Sequence, residues 1–196
     1  MEMIRFRLKR VEKEENKDLD ASKLLGSPVF PKNFLKRNRI GSNYYFLAQI
    51  NCAELPSISP FPSKGYLYFF VDINEFKAKV VFTEEELEEL IEDINDNFDR
   101  EICGDPTCLR MEFEDGGEGE SGVFGDIDPN IGLEGETEVE GKVVLLQLDA
   151  YSLPEDPRPL TFSDFGLRDG YWVFLIEKDD LEKGDYRRVE LIEVGY

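Results

Sequence analysis

Two stretches of the chain are versions of one another, so the fold must hold one supersecondary unit twice. Phe46–Pro56 aligns without a gap on Val144–Pro154, and Gly65–Asp72 then aligns on Gly170–Glu177. The spacer between the two blocks is longer in the second copy. Tyr44–Ile50 and Gly65–Asp72 are apolar on both faces and rich in aromatic and β-branched residues. Each copy therefore reads as a pair of buried strands. Lys77–Phe82 reads as a further strand, with Tyr186–Val194 as its counterpart. Tyr66, Phe69, Trp172 and Phe174 are expected in the core.

The rest of the chain hangs on this repeat. Ile4, Phe6 and Leu8 alternate with Arg5, Arg7 and Lys9, the period of a half-buried strand. Pro28 and Pro31 follow Gly26 closely and favour an extended, turn-rich segment. Over Thr83–Arg100 the spacing predicts a helix, because Leu87, Leu90, Ile91, Ile94 and Phe98 fall on one stripe. Thr83 and Glu86 fit a capping box, and Glu84, Glu85 and Glu86 suit the helix dipole. Gly104 and Pro106 would end it. The expectation is an α+β fold: internally duplicated, mainly antiparallel β-sheet units sharing one core, with one prominent amphipathic helix (83–100). One domain spans 1–196, built from halves at about 22–82 and 143–194 with an acidic helix-plus-loop insertion at 83–142.

Charge is concentrated in that insertion. The net charge is −20, and residues 83–140 carry all of it, with 22 Asp and Glu against Arg100 and Arg110. Residues 1–40 run the other way, with 11 basic and 6 acidic residues. An acid block repels nucleic acid and anionic membranes and attracts basic proteins and cations. Residues 114–122 have no apolar anchor and are expected to be mobile.

There is no histidine. That excludes Ser-His-Asp and Cys-His hydrolases and His-ligated zinc sites. Apolar runs such as Tyr66–Val71 fall far short of the ~20 residues that cross a bilayer. The charged, alternating N-terminus lacks the apolar stretch of a secretory leader. Cys52, Cys103 and Cys108 form no disulfide framework, so a cytoplasmic location is expected.

Three constellations could carry chemistry. Asp126-x-Asp128-x-Asn130 has the start of a calcium loop, but Ile131 and Thr137 stand where that loop needs glycine and glutamate. Cys103 and Cys108 lack further ligands for zinc and the spacing of a redox pair. Gln49-x-Asn51 and Gln147-x-Asp149 occupy equivalent places in the two copies and point an amide and a second polar group the same way. They form either a satisfied buried network or a polar pocket between the halves, lined by Gln49, Asn51, Gln147, Asp149 and Asp169 with Lys23 supplying positive charge.

Taken in order, Ser22-Lys23-x-x-Gly26-x-Pro28-x-x-Pro31, Phe46–Asn51 with Leu55-Pro56, Gly65–Phe70, Leu145–Asp149 and Asp169–Ile176 resemble the YwqG-like family, a bacterial domain of unknown function. The resemblance covers roughly Ser22 to Ile192. It implies a duplicated cytoplasmic bacterial domain and supplies no reaction, cofactor or metal. The chain departs from the family around Ser121–Asn130, where a histidine and a glutamine are missing. The acid block, the missing histidine and the departure at Ser121–Asn130 point to a non-catalytic protein-interaction module with an acidic surface and a basic protein as partner, and analogy with families near toxin–immunity genes adds an immunity type to that expectation. The alternative is a small-molecule-binding protein or enzyme using the pocket between the halves.

Overall fold

Alternation along the strands sets up two buried layers. In Tyr171–Glu177, Trp172, Phe174 and Ile176 enter one apolar cluster while Tyr171, Val173 and Leu175 enter another, and all six are buried. In Tyr66–Asp72, Leu67, Phe69 and Val71 join that first cluster, while Tyr68 and Phe70 join an aromatic cluster on the other side. A strand buried on both faces belongs inside a layered or closed sheet. The computed structural model describes residues 3–11, 14, 19–56, 61–72, 74–91, 108–114, 121–127, 139–150 and 170–195.

The strands are β1 (Ile4–Val11), β2 (Lys23–Leu24), β3 (Val29–Phe30), β4 (Tyr44–Asn51), β5 (Tyr66–Asp72), β6 (Lys77–Thr83) and β7 (Glu89–Leu90). After these come β8 (Cys108–Glu114), β9 (Gly122–Gly125), β10 (Lys142–Asp149), β11 (Tyr171–Glu177) and β12 (Glu190–Val194). Among the described residues there are two short helices, α1 (Phe34–Arg37) and α2 (Lys178–Glu182). One antiparallel sheet runs β12-β11-β10-β9-β1-β8-β2-β4-β5-β6, and β3 pairs β7 apart from it. Rings from strands far apart in that order meet: Phe69 and Phe174 at 5.3 Å, Phe76 and Trp172 at 5.6 Å, Phe82 and Tyr186 at 5.8 Å. The sheet therefore curls into a nearly closed barrel around the main core.

The two halves match in detail. The β4–β5 ladder shifts register between Phe46 and Ala48, and the β10–β11 ladder shifts between Val144 and Leu146, the aligned positions. Each bulge turns two successive residues, Leu47-Ala48 or Leu145-Leu146, into the same core. Cys52 N–H donates to Gly65 O, and Ala150 N–H donates to Gly170 O. Ser22 Oγ accepts from Asn51 N–H and Ser121 Oγ from Asp149 N–H, each at 2.9 Å. Leu25 and Phe124, both followed by glycine, share a left-handed φ of 57° and 51°. Between the halves, β1 and β8 pair so that Arg5↔Glu114 and Lys9↔Arg110 flank Arg7↔Glu112. A local dyad passes through that central pair.

The α+β expectation and its helix at 83–100 are corrected by this structure: the fold is mostly β, with no prominent amphipathic helix. Thr83 closes β6, and its hydroxyl accepts from Glu85 N–H in a local turn instead of capping a helix. Glu88 N–H then donates to Phe30 O and Ile91 N–H to Pro28 O, with Glu89–Leu90 paired to β3 between them. Helix propensity differs among these residues by only tenths of a kcal/mol, and pairing with the proline-bounded segment 28–31 outweighs it. Residues 92–100 lie outside the described residues. Within the expected acidic insertion, β8 and β9 are strands of the main sheet. At the chain's end, Tyr186–Arg188 is a 3-10 turn and the strand begins at Glu190.

Candidate functional site

In the first copy, the polar residues singled out by the repeat, Gln49 and Asn51, serve backbone. Gln49 is fully buried; its Nε2 donates to Leu19 O and Ala21 O at 3.0 Å, and its Oε1 accepts from Val29 N–H at 3.3 Å. Asn51 Nδ2 donates to Asp20 O, and its Oδ1 accepts from Ala53 N–H. Lys23, also fully buried, pairs with Glu14 and donates to Ser27 O at 2.7 Å. Glu14 also accepts from Ser27 N–H. These three residues are brought together, and they strap segment 19–29 across the outside of the first half. Gln147 and Asp149 are buried in β10 of the other half. Four strands separate β10 from β4, roughly 24 Å along the sheet at ordinary strand spacing. Gly122 stands where Lys23 stands in the first copy, opposite the glutamine, so the buried cation has no counterpart. Asp169, Asp128, Asn130 and Cys103 lie outside the described residues, as do most of residues 114–122. Cys52 is buried, and burial pushes its thiol up to about 12, which keeps it protonated.

A different site stands out at the end of the sheet. A cleft of about 870 Å³ runs along β6, between the segment after α1 and the turn after α2. Its lining includes five cationic side chains, Arg37, Arg39, Lys79, Lys183 and Arg187, against one carboxylate, Asp185. In a chain of net charge −20 such a cluster is not an average of the composition.

Each wall has a structural reason to be there. Phe30 stacks on Phe34 at 4.8 Å and both rings lie 4.9 Å from Tyr68, while Tyr68 Oη donates to Val29 O. This aromatic cluster pins α1 to the outer face of β4 and β5. The chain leaves α1 through Arg39, whose φ is 52°. Glycine is the usual occupant of that left-handed position, so holding arginine there costs about 1–2 kcal/mol. The opposite wall is the insertion between β11 and β12, anchored by buried Leu181 and Tyr186. The first copy has only residues 73–76 at the equivalent place.

The cations differ in how far they are neutralised. Arg37 grips Glu85 through two bonds of 2.9 Å, and Arg187 is held by Asp185. Among the described residues Arg39, Lys79 and Lys183 have no carboxylate partner. Lys79 lies 5.7 Å from the centre of the Tyr44 ring and donates to Arg39 O. Partial burial, with the charge of Arg39 added, holds its ammonium below the usual lysine range. A cation disfavoured by its surroundings is relieved when an anion arrives.

Residues 22–92 match the model of a family described as a domain of unknown function (DUF1963). The match spans the first half from Ser22, including α1, Arg37, Arg39, Tyr44 and all of β6. The wall formed by Lys183–Arg187 lies beyond it. No curated protein matches the chain. Among the described residues no helix is long and apolar enough to cross a membrane, and no group of three or more acidic or cysteine side chains is placed to hold a metal.

The residues of this cleft are scattered along the chain, so no local motif marks it. One signal was present: the positive balance of residues 1–40, which includes Lys36, Arg37 and Arg39. Lys79 joins them through the packing of α1 on the outer face of the sheet, and Lys183 through the curl of the sheet.

Proposed function

We propose that the protein is a binding protein whose cleft along β6 takes an anionic ligand. The observation that carries this reading is the convergence of Arg39, Lys79 and Lys183, without carboxylate partners among the described residues, in one concave site of an acidic protein. Clefts lined by one sign of charge concentrate the opposite sign. Arginine with its planar fork and lysine as a point charge together suit carboxylate or phosphate groups. The left-handed backbone at Arg39 supports the same reading, since strain of this kind gathers at functional sites. Attraction and orientation of negative charge is the chemistry these groups offer, so the reading is one of binding.

Calorimetric titration with pyrophosphate, citrate and an oligoglutamate peptide tests it. At least one anion should bind, and Arg39→Glu with Lys183→Glu should weaken that binding at least tenfold without loss of fold. Absence of binding by every anion, or equal binding by the double variant, would overturn the reading.

A further inference from the structure

The three uncompensated cations do not meet at one point of the cleft. Arg39 and Lys79 are neighbours, since the Lys79 ammonium donates to Arg39 O at 3.2 Å. They belong to the side built by the segment after α1. Lys183 belongs to the other side, in the insertion between β11 and β12. Each side also carries an arginine that is already engaged, Arg37 with Glu85 and Arg187 with Asp185. The opposed walls therefore repeat one arrangement, an anchored arginine beside a cation left to the cleft.

Exposure separates rim from floor. Arg39 and Lys183 are exposed, whereas Val80 and Tyr186 are buried and still line the cleft. The floor between the walls is thus apolar, with Ala78 and Phe82 half-buried beside those two. The Phe82 and Tyr186 rings meet at 5.8 Å where the sheet closes, so the floor runs on from the first half to the second. Size narrows the occupant further. A compact anion such as phosphate takes about the room of three waters, roughly 100 Å³. In a cleft of about 870 Å³ it would reach one wall and leave the floor to water. A volume of that order suits a larger organic ligand. What meets both walls and covers the floor is an elongated molecule with negative charge at each end.

Resting on the anion-binding reading, we propose that the ligand is an elongated organic dianion: one anionic end meets Arg39 and Lys79, the other meets Lys183, and an apolar body lies over Ala78, Val80, Phe82 and Tyr186. Each end contact is exposed to solvent and weak by itself. Joined by a body of the right length, the second contact becomes intramolecular, and affinity rises without any stronger contact. Removal of the apolar floor from water adds to it. A molecule with one charged end, or with two charges too close together, loses one wall.

The test is calorimetric titration of the whole protein with succinate, adipate, suberate and sebacate, and with octanoate and pyrophosphate as controls. The dicarboxylates carry the same two charges at growing separation. Octanoate has a hydrocarbon body with one charge, and pyrophosphate has charge without a body. Affinity should rise steeply from succinate to the best-fitting dicarboxylate, which should bind at least tenfold more tightly than octanoate or pyrophosphate. Arg39→Ala and Lys183→Ala should each bring that dicarboxylate down to the level of octanoate. The methyl resonances of Ala78 and Val80 should move when it binds to the unaltered protein. Affinity that is flat across the series, or matched by octanoate or pyrophosphate, would overturn the proposal and leave the anion-binding reading standing. Binding of the best dicarboxylate with both methyl signals unmoved, or unaffected by either substitution, would overturn it as well. No binding by any of these probes, nor by citrate or oligoglutamate, would remove both.

Discussion

Arg39 is where stability and function pull apart. Its left-handed φ of 52° suits glycine, and its charge suits the cleft. Arg39→Gly should therefore leave stability unchanged or raise it by up to about 1 kcal/mol, since relieved strain offsets glycine's larger unfolded-state entropy. The same variant should bind anions several-fold more weakly. Urea unfolding paired with anion titration checks both signs, and a clear loss of stability would refute the strain. Lys79 gives a second test at this scale. Its folded pKa lies below the ordinary lysine value, so the folded state binds fewer protons than the unfolded state between those two values. The penalty on folding is present at lower pH and disappears as pH rises through the folded pKa. An anion in the cleft raises that pKa back toward the ordinary lysine value, so binding should take up protons where the pH lies between the folded and ordinary values and weaken as pH climbs further. Calorimetry in two buffers of different ionisation enthalpy measures that uptake, and proton release would contradict it. In the core, Phe69 is fully buried and meets Phe174 edge-on at 5.3 Å, across the two halves. Phe69→Ala should cost about 3–5 kcal/mol by urea unfolding.

At the scale of elements, the repeat fixes more than strand positions. Gly65 and Gly170, equivalent in the two copies, have φ of 87° and 117° and accept equivalent backbone bonds. A Cβ on Gly65 would lie 2.6 Å from Thr83 O, and one on Gly170 only 1.9 Å from Val194 O. Both obstacles are backbone. Gly170→Ala should therefore destabilise more than Gly65→Ala, and each by more than about 1 kcal/mol, as read by melting temperature and urea midpoint. The reverse order would mean that the β11–β12 end yields more easily than the β5–β6 end. The strands carrying these glycines were legible because period-two burial and aromatic content are local signals. The stripe that suggests a helix at 83–100 does not survive in the structure, where the extended chain turns Ile91 onto the aromatic cluster and leaves Leu90 exposed. What decided between the two was a long-range pairing, Glu88–Ile91 with Pro28–Phe30, to which no local pattern points. The polar pairs Gln49-x-Asn51 and Gln147-x-Asp149 were legible as equivalent. The partners of Gln49 were not, since they are backbone atoms of segment 19–29, supplied by a strap with no periodic signature.

For the whole molecule, the local dyad through Arg7 and Glu112 makes two similar halves, and the insertion at 178–189 breaks their equivalence where the sheet comes round to meet itself. That break builds one wall of the cleft, so the site belongs to the asymmetry of the duplication. A molecule of net charge −20 with a cationic cleft should respond to salt in two opposite ways. Self-repulsion among distant carboxylates acts over tens of ångströms and is screened first, with a Debye length of about 30 Å at 0.01 M falling to about 8 Å at 0.15 M. The melting temperature should rise over that range. Attraction inside the cleft acts at contact distance and survives until the screening length approaches it, about 3 Å at 1 M. Affinity for an anionic probe should therefore fall mainly above 0.15 M, after most of the gain in stability is complete. A melting temperature that falls with salt from 0.01 to 0.15 M would show that attractive surface pairs such as Lys9–Glu112 outweigh the net repulsion. An affinity indifferent to salt up to 1 M would show that the ligand is held by something other than Arg39, Lys79 and Lys183.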